Sequence, residues 1–169
     1  MTTQTTTLPQ WEVNIIHDYY IDHLENNISL AKPGCSKIVP GNRTISVITY
    51  GSNVYIASNT RTRHSELNCW DLLQNKRKKL RKRMDVFITE VRCKLVNNKF
   101  EYSMSQPCLH CTKTFQKYAK YLYEHYGSTI YFRWSTDSGN EPLITKYKDI
   151  REINNSTIST GWALKYNRL

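Results

Sequence analysis

The sequence has no apolar stretch of the roughly 18 residues that a membrane-spanning helix needs. Its first ten residues offer neither a charged start nor an apolar stretch, so no secretory signal is expected there. Its five cysteines, an odd number, fit a reducing compartment better than a disulfide framework. We therefore expect an intracellular protein, in the cytoplasm or the nucleus, that does not enter a membrane.

Acidic residues are also scarce, with 14 Asp and Glu against 24 Lys and Arg and a formal net charge of +10. Much of the excess lies in one basic run, which consists of Lys76, Arg77, Lys78, Lys79, Arg81, Lys82 and Arg83. Such a run can bind phosphates, act as a nuclear import signal, or be the solvated end of a helix. The sequence leaves these three interpretations open.

The length of 169 residues and the hydrophobic content of 39% fit one domain with a core of its own. Residues 1–10 are polar and rich in threonine, and we expect them to be a disordered lead-in. Residues 11–153 are expected to form the domain. Residues 154–169 are interpreted as a loop-like C-terminal tail with a basic end.

Hydrophobic periodicity predicts helices and strands in the order α-β-β-α-β-α-β-β. The helices are expected over residues 11–31, from residue 64 onward, and over 108–126. Strands are expected over residues 44–50, 54–57, 84–91, 128–134 and 143–147. This order indicates an α/β fold, with a central mixed sheet of about five strands flanked by helices. A tight turn at residues 137–140 predicts an antiparallel hairpin for the last two strands.

Two short motifs supply residues that can bind a metal. The first is His64-Ser-Glu66 and the second is Pro107-Cys108-Leu-His-Cys111. A catalytic zinc takes three protein ligands and keeps a fourth, tetrahedral position for water. His64, Cys108 and Cys111 provide one imidazole and two thiolates, which is the required number. Glu66 lies close enough to reach a bound water without being a ligand itself.

A lone C-x-x-C can also be half of a structural zinc site or a redox pair. A structural site needs a fourth tight ligand, for which Cys69, Cys93 or His110 could be proposed, although none of them repeats the C-x-x-C spacing. Pro107 is typical of the start of a helix. A cysteine at a helix N-terminus has a lowered pKa, which favours a zinc thiolate. The sequence therefore predicts a catalytic rather than a structural zinc.

The pair H-x-E and P-C-x-x-C resembles the signature of the cytidine deaminase-like superfamily, the zinc-dependent CMP/dCMP-type deaminases. The resemblance covers roughly residues 44–150 and implies hydrolytic loss of an exocyclic amine, usually from cytosine. It implies that Glu66 is the proton shuttle and that Asn59 contacts a sugar or base. Asn59 could equally make a local Asx-turn. Ser65 departs from the usual alanine but is small enough to fit.

The resemblance does not extend to one subfamily. Members that edit nucleic acid commonly insert a helix between the last two strands, whereas only a short turn follows Trp134 here. That turn favours a free nucleoside or nucleotide as the substrate. The chain lacks, however, the second motif of free cytidine deaminases, in which cysteine replaces the histidine.

Two alternatives to a free nucleotide substrate follow from the basic run. It favours a deaminase that edits single-stranded DNA or RNA. A different class is a non-catalytic, zinc-stabilised module that binds nucleic acid. The oligomeric state is left open by the sequence.

Overall fold

A computed structural model describes residues 4–24, 42–60, 62–76 and 80–153. Its strands are β1 (Thr5–Thr7), β2 (Arg43–Tyr50), β3 (Asn53–Ser58), β4 (Val86–Val96), β5 (Lys99–Ser103), β6 (Ile130–Trp134), β7 (Leu143–Thr145) and β8 (Lys148–Asp149). Its helices are α1 (Gln10–Tyr19), α2 (Ser65–Lys76) and α3 (Leu109–Tyr126). A π turn follows α1 and a short 3₁₀ turn follows β8. None of the helices in these described ranges is both long and apolar enough to cross a membrane.

Six of these strands form a mixed sheet in the order β3-β2-β4-β6-β8, and β5 pairs with the C-terminal half of β4. The β4–β6 pair is parallel, whereas the other pairs in this sheet are antiparallel. Asn97 and Asn98 form the turn between β4 and β5, both with positive φ. Asparagine tolerates that conformation better than most residues. The predicted mixed α/β fold with flanking helices is confirmed.

The two faces of the sheet are covered by different helices. On β2, Ile45 and Val47 pack in one cluster with α1, while Ile48 and Tyr50 pack in a second cluster with α2 and α3. This division follows from the alternation of side chains along a strand. Phe115 of α3 lies at the centre of the second cluster and is fully buried. The face covered by α2 and α3 carries the candidate site.

The last strands differ from the predicted simple hairpin. The chain turns back after β6, and Ser135 forms an isolated antiparallel bridge with Ile144. β7, however, pairs with β1 in a separate two-stranded sheet. The antiparallel neighbour of β6 is the two-residue strand β8, in which Lys148 pairs with Phe132. An antiparallel strand does therefore pair with β6, but it is the short strand β8 and not the predicted strand over 143–147.

Residues 4–10 of the expected lead-in over 1–10 are described by the structure, and they include strand β1. Thr5–Thr7 pair in register with Leu143–Thr145, and Leu8 is buried in the cluster beneath α1. β-branched threonines suit a strand when an unpaired edge is available to them. The sequence alone does not show that edge. Residues 1–3 and the predicted tail over 154–169 lie outside the described residues.

The first predicted helix, over 11–31, is described as far as Leu24. The α-helix ends at Tyr19, and the π turn Tyr20–Leu24 continues its buried stripe through Tyr20 and Leu24. The rest of the predicted range lies outside the described residues.

Candidate metal centre

The three predicted ligands lie at the starts of α2 and α3. His64 occupies the N-cap position of α2, where its carbonyl accepts a hydrogen bond from the Asn68 N–H at 3.1 Å. Cys108 is the N-cap of α3, and its carbonyl accepts from the Thr112 N–H at 2.8 Å. Cys111 follows in the first turn of α3 and is fully buried. Two helix N-termini on one face of the sheet thus bring the ligands together.

The ligand atoms are close enough to share one ion. His64 Nδ1 lies 3.1 Å from Cys111 Sγ and 3.5 Å from Cys108 Sγ, and all three ligand atoms lie within 4.8 Å of one another. Zinc takes ligands at about 2.0–2.3 Å, so its tetrahedral ligands lie roughly 3.5–3.8 Å apart. Small side-chain adjustments therefore suffice for zinc. Among the described residues this is the one group of three such side chains with that spacing.

The protonation of the cluster also suits a metal. The pKa of Cys108 is lowered to about 3, because its sulfur accepts hydrogen bonds from Cys111 and from His64. The pKa of His64 is raised, first by its hydrogen bond to Cys108 and then by the charge of Glu66. The pKa of Cys111 is raised by its hydrogen bond to Cys108 and by burial. A stable Cys108 thiolate is thus available, and a cation would take the place of the protons that Cys111 and His64 share with it.

The residues considered for a fourth ligand do not join this group. Cys93 belongs to the cluster on the opposite face of the sheet. Cys69 donates its thiol to the Tyr55 carbonyl at 3.3 Å, and burial raises the pKa of both Cys69 and Cys93 to about 12. His110 is exposed on the outer side of α3. Within the described residues the centre has three protein ligands, which leaves one tetrahedral position for a non-protein ligand.

Glu66 lies in the first turn of α2 and is only 1% exposed. The Ser65 hydroxyl donates to Glu66 Oε2 at 3.3 Å. Ser65 also shares a 2.7 Å hydrogen bond with the hydroxyl of Ser46 on β2. Ser65 therefore does more than fit where alanine is usual in the resembling family, because its hydroxyl connects Glu66 to the sheet.

Glu90 is a further acidic residue at the site, and our sequence analysis missed it. It lies on β4 opposite Ser46 and is 6% exposed. Its side chain lies close to that of Glu66, and its pKa is raised well above the usual range, mainly by burial and then by the charge of Glu66. Glu90 Oε2 is buried and has no hydrogen-bond partner among the described residues. The available signal was the strand pattern, in which Glu90 follows Val86 and Ile88 at the two-residue spacing of one strand face.

The other predicted site residues lie around this centre. Asn59 follows β3, where its side-chain oxygen accepts from the Thr44 N–H at 3.3 Å, and its role in substrate binding stays a prediction. Pro107 immediately precedes the N-cap of α3 and is not in its first turn. α2 extends to Lys76, the first residue of the basic run.

The basic run is described only in part. Arg77, Lys78, Lys79 and the side chain of Lys76 lie outside the described residues. Arg81, Lys82 and Arg83 are exposed in the loop before β4. The Arg83 N–H donates to the Tyr126 carbonyl at 2.7 Å, which places this end of the run beside the C-terminus of α3.

Comparison with known proteins gives no match to a protein-family model, to a curated protein or to a solved structure.

Proposed function

We propose that this protein is a zinc-dependent hydrolytic deaminase of a cytosine-type base. The observation that carries the proposal is the gathering of His64, Cys108 and Cys111 within 4.8 Å, with the buried Glu66 two residues after the first ligand. A three-ligand donor set is typical of catalytic zinc, whereas structural zinc takes four. A buried carboxylate that is not a ligand has a use in proton transfer and none in holding a structural ion.

The proposed reaction replaces an exocyclic C–NH₂ group by C=O, consuming water and releasing ammonia. When bound, zinc lowers the pKa of a coordinated water from about 15.7 to roughly 7. Glu66 takes a proton at its carboxylate and returns it to the leaving amine, the general acid–base role. The Ser65 hydroxyl donates a hydrogen bond to Glu66 and the buried Glu90 lies beside it, so that the carboxylate is restrained before the substrate enters.

Release of ammonia by wild-type protein and a Glu66→Ala variant tests this proposal. The substrate panel contains cytidine, deoxycytidine, their monophosphates and single-stranded oligonucleotides. We expect Glu66→Ala to keep its zinc and to lose about 10²- to 10⁴-fold in turnover. The exposed Glu141→Gln is the matched control and should leave turnover unchanged.

The second candidate is a non-catalytic, zinc-stabilised module that binds nucleic acid. The exposed cations Arg81, Lys82 and Arg83 favour it. Glu66 separates the two candidates, because a structural centre has no need of this carboxylate. If wild-type protein releases no ammonia from any cytosine, adenine or guanine compound, and Glu66→Ala alters only stability, the binding module is the better description.

A further inference from the structure

The outer face of α3 carries a line of exposed basic residues. Lys113, Lys117 and Lys120 follow one another at steps of four and three residues, and the exposed Tyr121 stands beside them. With about 100° of rotation per residue, these four side chains share an arc of roughly 100° opposite the buried face. We name these four residues the α3 stripe.

The lysines of the α3 stripe have no acidic partner among the residues that the structure describes. None of the four ion pairs found there includes Lys113, Lys117 or Lys120. Glu124, the one acidic residue of the helix, is exposed within the same arc, one turn after Lys120, and it forms none of these ion pairs. Three lysines against one glutamate leave this face with a net positive charge, which attracts a polyanion from solution.

The α3 stripe begins near the end of the helix that carries Cys108 and Cys111, but on the opposite, exposed side of the helix. Lys113 and Lys117 help to line an open pocket of about 250 Å³ at this end of the helix. At the other end, the Arg83 N–H is bonded to the Tyr126 carbonyl. At about 1.5 Å per residue, the helix extends roughly 20 Å from Lys113 to Tyr126. The stripe therefore runs along the outer surface of α3 toward the exposed basic loop at Arg81, Lys82 and Arg83.

We propose that the α3 stripe binds the phosphate backbone of a single-stranded nucleic acid. Successive lysines are about 4.5–6 Å apart along the helix axis, which gives a regular series of cations to an extended strand. An exposed tyrosine within such a series offers a base a surface for stacking. Tyr121 is 53% exposed, and the His125 ring already contacts part of it, with 4.4 Å between the ring centres. Tyr123 is similarly exposed but lies outside the arc of the lysines, and the Arg151 guanidinium is 4.6 Å from its ring centre.

Single-stranded nucleic acid fits this surface better than a membrane or an acidic protein. The stripe has no aliphatic side chain to insert into lipid, and it lacks the apolar centre that protein interfaces usually have. Binding of nucleic acid to the stripe does not depend on the proposed function. The inference rests on the proposed function only where it names the bound polymer as the substrate of the deaminase. It also favours a polymer over a free nucleotide, because a row of cations runs along the outer face of the same helix that carries Cys108 and Cys111.

Fluorescence anisotropy with labelled single-stranded DNA and RNA, measured over a series of salt concentrations, tests the inference. The Lys113→Gln/Lys117→Gln/Lys120→Gln variant should bind less tightly. The negative slope of the logarithm of its binding constant against the logarithm of the salt concentration should become shallower by about 2, since each phosphate contact contributes about 0.7 on single strands. A control that removes the same charge elsewhere, Lys94→Gln/Lys99→Gln/Lys146→Gln, should keep the wild-type slope. Tyr121→Leu should weaken binding about fivefold or more through lost stacking. Thermal unfolding of each variant shows whether it remains folded.

Three results would overturn the inference. The first is an equal loss of binding in the two triple variants, which means attraction by net charge alone. The second is tighter binding of the wild type to anionic lipid vesicles or to a polyglutamate peptide than to oligonucleotides. The third is the absence of oligonucleotide binding in a folded wild-type protein. The assay measures binding and not turnover. Wild-type protein that binds oligonucleotides through the α3 stripe but releases no ammonia would therefore contradict the proposed deaminase and leave the inference intact.

Discussion

Two buried glutamates, one on each face of the sheet, have opposite surroundings. Glu12 of α1 is 3% exposed and forms an ion pair with Arg133 of β6. Arg133 is held in turn by a 2.8 Å hydrogen bond to Thr89 and by the Tyr147 ring, whose centre lies 4.2 Å from its guanidinium carbon. Glu90, on the other face, is buried against a second carboxyl group, that of Glu66.

The difference separates a locally balanced ion pair from a pair of like groups. The charge of Glu12 is balanced locally, which is how folded proteins usually accommodate a buried ion. The Glu66–Glu90 pair places like groups side by side, an arrangement that raises a carboxyl pKa and lowers stability. Such arrangements cluster at catalytic sites. Glu90 also interacts electrostatically with Cys108, so the proposed deaminase supplies a reason for the cost of this pair.

Breaking the Glu12–Arg133 pair should have the largest effect on stability. We expect Arg133→Met to lower the free energy of unfolding by about 3–5 kcal/mol, because Glu12 is left buried without its cation. The double variant Glu12→Leu/Arg133→Met should recover much of this loss. Urea unfolding gives both values. Equal stability of wild type and Arg133→Met would show that the pair does not stabilise the fold. A change in bound metal in either variant would show that the pair also affects the candidate metal centre on the other face of the sheet.

Changes at Glu90 should have an intermediate effect, and the outcome should depend on the replacement. Glu90→Gln keeps a donor for Glu66, whereas Glu90→Leu removes it. A hydrogen bond to a charged group contributes about 1.5–3 kcal/mol, so Glu90→Leu should lose about 10- to 100-fold in the proposed turnover while Glu90→Gln stays near wild type. Steady-state kinetics with folded, metal-loaded protein checks this. Equal loss in both variants would exclude the positioning role.

Glu90 should also make stability depend on pH. Its folded pKa is raised above the ordinary value of 4.5, so the folded state holds a proton that the unfolded chain has released. Wild-type stability should therefore fall as pH rises from about 4.5 toward the raised pKa, by up to about 1.4 kcal/mol per pH unit. Glu90→Gln should lack this decline and gain on wild type as pH increases. Parallel stability curves for the two proteins between pH 4 and pH 8 would contradict the assignment.

The smallest effect is expected at Ser65. Ser65→Ala removes the hydroxyl that joins Ser46 to Glu66 and should cost about 1 kcal/mol of unfolding free energy. The double variant Ser46→Ala/Ser65→Ala should cost no more, because it leaves no unpaired hydroxyl at Ser46. Urea unfolding measures these differences. A double variant that loses twice as much as the single one would show that the two hydroxyls act independently.

The members of the His/Cys/Cys group could be predicted because each of the two motifs that supply them is short. Cys108 and Cys111 are one helical turn apart, and Glu66 lies two residues from His64, so short stretches of sequence carry the pattern. Long hydrophobic periods likewise predicted most of the strands and the helix that becomes α3. Partners decided by tertiary pairing could not be predicted. Glu90 reaches the site through its register opposite Ser46, and Thr5–Thr7 form a strand only because β7 offers them an edge.

The neighbours of the basic run could not be predicted for a related reason. Helix α2 extends to Lys76, the first residue of the run, whereas Arg81, Lys82 and Arg83 lie in the loop before β4. There the Arg83 N–H donates to the Tyr126 carbonyl in the last turn of α3. This placement depends on contacts distant in sequence, including the hydrogen bond from the Arg81 N–H to the Tyr50 hydroxyl at 2.8 Å.

Metal analysis of the purified protein tests the central claim most directly. We predict one zinc ion per chain in the wild type and none above background in a folded Cys108→Ser variant, because serine removes the thiolate with the lowered pKa. Cys69→Ser is the matched control and should keep its zinc, since Cys69 is bonded to the Tyr55 carbonyl and not to the cluster. Stoichiometric zinc in Cys108→Ser, or its absence from folded wild-type protein supplied with zinc, would contradict the account.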